Sequence, residues 1–241
     1  MNSKKPVYFV IMKRELASFY TSPVAYIVTA LFLVFSGILF FSTFFLVNRA
    51  ELRNFFSILP VLFAFFIPAL TMRVFAEEKR SGSFETLMTL PVSGLDAVIG
   101  KFLAVFIFTA SMLVPTLSYV ITSVALGSPD SGSIFCGYLG ALFLSAAFSA
   151  IGLFASSLTK NQIVAFFAAF TACIVLAMID RLLILLPPVI VGPLEFISAS
   201  YHFESISRGI IDTRDLLYFL SLTALFLGLS VRSVDNRRSA R

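Results

Sequence analysis

Charge is what this sequence has least of. Only 13% of its 241 residues are Asp, Glu, Lys or Arg, against about 25% in soluble domains. So few charges cannot cover a water-facing surface, which excludes an ordinary soluble fold. Tryptophan is absent, and the single histidine, His202, excludes a His-based metal centre. The two cysteines, Cys136 and Cys173, both fall in apolar stretches and read as small packing residues, not as a disulfide or a metal pair. A phosphate loop is missing too. The nearest approach, Gly94-Leu-Asp-Ala-Val-Ile-Gly100-Lys101-Phe102, has five residues between its glycines where the loop needs four, and Phe where Ser or Thr should hold magnesium. No cleavable signal is expected, because Lys13, Arg14 and Glu15 interrupt any early apolar core. Without repeats or low-complexity linkers, the chain reads as one domain over 1–241.

What the chain does have is apolar length. Hydrophobic residues make up 59%, and the mean hydropathy is +0.96. The apolar runs are unbroken. They lack the alternation of a membrane barrel, so in lipid they must be helices. The fold class is therefore an all-α polytopic membrane protein with six spans, at 24–46, 55–72, 102–126, 134–156, 163–186 and 216–231. Pro60 and Pro68 predict a kink in the second span. Residues 1–22 mix Val7, Phe9, Val10, Ile11, Leu16 and Phe19 with Lys4, Lys5, Lys13, Arg14 and Glu15, the pattern of a helix lying in the membrane interface. Ser22-Pro23 then supplies an N-cap and a first-turn proline. A mixed segment, 187–214, precedes the last span.

The cations fix orientation. With both termini in the cytoplasm, Arg49, Arg53, Arg181, Arg208 and Arg214 face outward, while the other 13 of the 18 Lys/Arg lie inside. The net charge of +5 is thus a topology signal, with attraction to anionic lipid and no call for nucleic acid.

The polar stretch between spans 2 and 3, at 73–99, is the most informative segment. Glu77-Glu78-Lys79-Arg80 is charged, Ser81-Gly82-Ser83 is a turn or cap, and 84–90 reads as a short helix ended by Pro91. Phe84, Leu87, Met88 and Leu90 can share one face. Such a helix suits a groove in a soluble partner; equally, it can cover the end of the bundle. Asp180-Arg181, near the outer end of span 5, reads as an interface anchor or as a contact for substrate or gate. Gly137, Ala141, Ser145 and Ser149, followed by Gly152 and Ser156, form a small-residue row in span 4 that permits close helix approach, within the bundle or across a dimer seam. The 29 phenylalanines suit lipid-facing positions and decode to little else.

Two of these stretches carry a resemblance. Phe75-Ala-Glu-Glu-Lys-Arg-Ser-Gly-Ser-Phe-Glu-Thr-Leu-Met-Thr-Leu-Pro-Val-Ser with Gly100-Lys101-Phe102, and Ser200-Tyr-His-Phe-Glu-Ser-Ile-Ser-Arg-Gly-Ile-Ile-Asp-Thr-Arg-Asp215, resemble signatures of type-2 ABC exporter permeases, particularly the six-span gliding-motility and copper-enzyme-maturation kind. The resemblance implies an N-terminal connecting helix and a cytoplasmic coupling helix. It places Glu77, Glu78, Arg80, Gly82, Glu85, Leu87 and Pro91 in the region touching an ATPase, and Phe203, Arg208 and Gly209 in an extracytoplasmic gate region. It implies two ATPase subunits holding ATP and magnesium, with no cofactor or catalytic residue on this chain. It also implies a second permease subunit, identical or different, a place for a periplasmic accessory subunit, and a bacterial inner-membrane location. Two alternatives stay open: a force-transmitting scaffold of an envelope complex without a classical substrate, and an ion-coupled carrier, for which only Asp180 offers an intramembrane acid. An intramembrane enzyme lacks its nucleophile–base pair.

Overall fold

The structure is a computed structural model, described over residues 6–47, 52–84, 92–127, 129–182, 192 and 195–239. Among these residues the chain is helical and without strands. In chain order the helices are α1 (Val7–Thr21), α2 (Pro23–Val47), α3 (Arg53–Ser81), α4 (Gly94–Leu113), α5 (Leu117–Leu126), α6 (Ser131–Leu158), α7 (Gln162–Leu182), α8 (Ala199–Ser207) and α9 (Thr213–Ser239). Six stretches are long and apolar enough to cross a membrane, α4 and α5 together making one of them.

Local chemistry sets the boundaries. Ser93 Oγ accepts from Asp96 N at 3.0 Å, and Asp130 Oδ1 accepts from Gly132 N at 3.0 Å, capping α4 and α6. Pro115 has no N–H to donate, so the backbone between α4 and α5 tightens into three-residue bonds: Val114 N to Ser111 O, Thr116 N to Leu113 O and Leu117 N to Val114 O. Pro60 and Pro68 do not end α3, which runs through both. It continues to Ser81, well past the apolar run at 55–72, and closes on Gly82 in the left-handed conformation (φ 78°). The first part of the polar 73–99 segment is therefore a prolongation of span 2, and its last part, from Gly94, already belongs to α4. Likewise α9 extends to Ser239, so the basic stretch after 231 is helical. The end of span 5 at 183–186 and most of 187–194 lie outside the described residues.

Helix α6 is the hub. It packs against α3, α9, α7, α8 and α4. Its small-residue row makes this possible from within the chain: Gly137 faces the Phe56 ring of α3, Gly140 faces Phe203 and Ile206 of α8, and Gly152 faces Thr71 of α3. At Gly152 a Cβ would collide with the Thr71 side chain. One turn further on, Ser156 Oγ accepts from Phe75 N at 3.0 Å and Ala76 N at 3.1 Å, and donates to Met72 O at 2.9 Å. The row thus serves packing inside the bundle. By contrast, α2 and α7 keep many apolar side chains exposed, among them Ile27, Ile38, Ile163 and Phe167, as lipid-facing helices do.

Gly152→Val should destabilise the purified protein by about 1–3 kcal/mol through overpacking. Gly228→Val, where nothing lies within 4 Å of the added carbon, should be close to neutral. Thermal unfolding of both variants in the same detergent checks the contrast.

Candidate functional site

Both ends of the described chain, α1 and the last turns of α9, lie at one end of the bundle. There α1 lies across the start of α4, where Gly100 leaves room for Tyr8 O and Ile11. Val7, Tyr8, Phe9 and Val10 remain exposed on α1, in keeping with an interfacial helix.

The contact between α1, α3 and α4 encloses an ionic cluster. Lys101, seven residues into α4, has no exposed surface. Its Nζ meets Glu78 Oε1 at 2.8 Å, Val74 O at 3.1 Å and Glu15 Oε1 at 3.2 Å, and lies 5.1 Å from the centre of the Phe75 ring. Arg14 closes the group, bonding Glu15 at 2.7 Å and Glu78 at 3.3 Å. Two cations and two carboxylates therefore share the space without net charge. Burial pushes the Glu15 carboxyl up, but the Lys101 ammonium and the Arg14 hydrogen bond outweigh it and leave the carboxyl below its ordinary value. Arg14 moves the other way. Its hydrogen bond to Glu15 raises it against partial burial.

The rest of α3's last turns reach other helices. Arg73 donates to Ser22 Oγ at 2.5 Å, at the joint between α1 and α2. Glu77 accepts from Gln162 at the start of α7. Lys79, buried, donates to Ser157 O at the end of α6, where a cation answers the helix dipole, and lies 5.2 Å from the Phe84 ring centre. Ser233 of α9 donates to the same Ser157 carbonyl at 3.2 Å. Five helix ends thus converge on one stretch of α3. Arg80 and Gly82 face outward at its tip, while Phe84 turns back onto Phe75, ring centres 6.3 Å apart. Between α1 and α3 a groove of about 440 Å³ opens, lined by Arg14, Glu15, Ser18, Arg73, Glu77 and Glu78 among others.

Of the sequence-derived residues here, Glu77, Glu78, Arg80 and Gly82 come together; Glu85, Leu87 and Pro91 lie outside the described residues. Glu15, Arg14, Lys79 and Lys101 were not singled out as partners by sequence reasoning. The available signal was a lone lysine amid apolar residues in the first turns of α4.

Phe203, Arg208 and Gly209 gather at the opposite end. Phe203 is 1% exposed and meets Phe56 of α3 with ring centres 6.5 Å apart. Gly209 takes φ 89°, a conformation that glycine adopts without strain, beside the start of α6, where Ser133 Oγ donates to Ser207 O at 2.6 Å. Arg208 pairs with Glu204 at 2.5 Å and borders a cavity of about 230 Å³ with Arg53 and Asp130. Asp180 and Arg181 close α7 without an ion pair between them. Arg181 is exposed, and Asp180 Oδ1 is buried without a hydrogen-bond partner among the described residues.

Lys101→Met should lower stability by about 3–5 kcal/mol, because Glu15 and Glu78 would face each other with only Arg14 between them; adding Glu78→Gln should recover part of the loss. The contribution of Glu15 is complete above the ordinary Glu value of about 4.3 and is lost as pH falls through its lower folded value. Acid unfolding curves should therefore flatten in Glu15→Gln. A family model described as "ABC-2 family transporter protein" matches residues 24–234. Among curated proteins none matches significantly. The match spans most of the chain and takes in all six candidate spans apart from Pro23 at the start of the first and the last two residues of the sixth, so this protein belongs to the ABC-2 transporter family and is a membrane-spanning permease of the type-2 ABC class.

Proposed function

We propose that the chain is the permease subunit of an ATP-driven exporter, coupled to a separate ATPase through residues 76–92. The observation that supports this most is the convergence on α3. Its final turns are tied by Lys101, Gln162, Ser157 and Ser22 to α4, α7, α6 and the joint of α1 with α2. A push delivered to the segment after Gly82 would reach every one of those helices at once. A left-handed glycine at the tip, with open space around it, ends the rigid helix where a docking segment would begin.

In this reading the α1 end faces the cytoplasm of a bacterial inner membrane, as the distribution of lysine and arginine favours. Two ATPase subunits bind beneath, holding ATP and magnesium, and this chain performs no hydrolysis itself. A second permease subunit, identical or different, completes the pathway. The Phe203–Arg208–Gly209 region forms the outward gate, with Asp180 and Arg181 beside it. An accessory subunit on the outer side fits the same plan.

The test is association. A tagged chain extracted in mild detergent should bring down an ATPase with nucleotide-stimulated activity, and Glu85→Arg should insert normally yet lose most of that partner. Full co-purification and undiminished activity with Glu85→Arg would overturn the docking role.

A further inference from the structure

We propose that His202 and Asp215 form a proton-binding site that latches α8 to α9 at the end of the bundle away from α1. Both side chains are buried, at 2% and 5% exposure. His202 Nδ1 lies 2.6 Å from Asp215 Oδ1, and His202 Nε2 lies 3.0 Å from Phe196 O. The Phe196 carbonyl can only accept. A carboxylate can only accept as well. A neutral imidazole has a single N–H and can satisfy one of the two partners. The geometry therefore holds one proton more than a neutral ring and an ionised acid carry between them. Because an imidazole binds protons more tightly than a carboxyl group does, that proton belongs on the ring, which then donates from both nitrogens. The Tyr218 ring stacks on it with centres 4.2 Å apart, a face that favours a cation. The Tyr218 hydroxyl donates to Ile197 O at 2.6 Å and fixes the same turn.

So loaded, the pair is neutral overall, which suits burial in a bundle end. Loss of the proton leaves a net negative charge and sets one acceptor against another. Among the described residues Asp215 Oδ2 has no hydrogen-bond partner that would absorb the charge; its place in the first turn of α9 helps.

The surroundings do not replace the proton. Helix α8 packs on α3, α6, α7 and α9. From α9, Asp215 and Tyr218 face the ring, while Arg214 is exposed. Among the described residues, the ionisable groups of the other elements at this end are Arg53 of α3, Asp130, Cys136 and Tyr138 at and within α6, and Asp180 and Arg181 of α7, with Glu195 before α8 and Asp212 before α9. Asp130 caps α6, and the Tyr138 hydroxyl lies 3.0 Å from Thr116 Oγ1. On α8 itself, Glu204 pairs with Arg208, and the Tyr201 ring stands edge-on to His202. None of these is recorded in a hydrogen bond with the imidazole. The latch matters because α8 is a plug: Phe203 and Ile206 reach Gly140, in the third turn of α6, and Ser200 Oγ donates to Ala177 O of α7 at 2.6 Å. When the proton leaves, the ring must give up one of its two partners, Asp215 of α9 or the Phe196 carbonyl. The site stands whatever the chain moves, and whether or not the ATPase coupling holds.

As His202 is the only histidine, a full-length chain made without a histidine tag and labelled with ¹⁵N-histidine gives one imidazole signal set in lipid nanodiscs. At pH 7 both ring nitrogens should carry hydrogen in the wild type, and one should be bare in Asp215→Asn. For the latch, Ser207→Cys, at a buried position, and Tyr201→Cys, at an exposed one, are compared in a Cys136→Ala/Cys173→Ala background. The Ser207-to-Tyr201 ratio of thiol labelling should rise several-fold more between pH 7 and pH 9 than it does with His202→Gln, which has no ring to titrate and so shows the thiols' own ionisation. A bare ring nitrogen in the wild type at pH 7 overturns the proposal, as does a labelling ratio that rises no more than it does with His202→Gln. Neither readout needs Asp215→Asn to fold.

Discussion

A single buried ammonium organises one end of this molecule. Lys101 has three N–H donors and three acceptors in reach, two of them carboxylates. An uncompensated charge at such a site would be far too costly to keep. Helix α1 is therefore obliged to bring Glu15, and α3 to extend until Glu78 and the Val74 carbonyl arrive. The length of α3 beyond its apolar stretch and the close packing of α1 on α4, which Gly100 permits, are what bring those partners to it.

The two ends of the bundle solve different problems. The α1 end is joined by ions: Arg14, Glu15, Glu78 and Lys101 in one group, with Lys79 on the α6 terminus in another. The other end adds rings and short polar contacts to its ion pairs, as in the Phe56–Phe203 contact, the Ser133–Ser207 bond and the Tyr218 ring stacked on the His202 of the His202–Asp215 pair. Between them α6 supplies a seam of small residues on which α3 rides closely enough for a serine hydroxyl to enter its backbone ladder. Rigid middle and distinct ends are what a permease of the ABC-2 family needs if it is to respond at one face and act at another.

Much of this was legible in the sequence because the bilayer enforces it. Six apolar runs without alternation leave helices as the only fold, and the small row in span 4 announces close packing, though not which helix fills it. The partners of Lys101 were not legible. Each of Glu15, Glu78 and Lys101 reads alone as an interfacial charge, and only the three-dimensional crossing of α1, α3 and α4 sets them within 3.2 Å. His202, alone in the sequence, speaks only against a histidine metal centre, because its meaning lies in Asp215, thirteen positions away across a turn. The prolines differ in effect: Pro115 splits its span into two helices, whereas Pro60 and Pro68, where a kink is expected, sit inside one continuous helix packed along α6 and α7.

Phe56 and Glu78 belong to the same uninterrupted helix. Twenty-two residues at 1.5 Å each set them about 33 Å apart, one against the plug and the other in the ionic knot. A tilt of about 3° at the charged end carries the aromatic end sideways by roughly 2 Å over that span. Were the helix to move as one piece, that displacement would cross the bilayer without a relay of rearranging side chains; Pro60 and Pro68, which lie between the two points, are where it can bend instead.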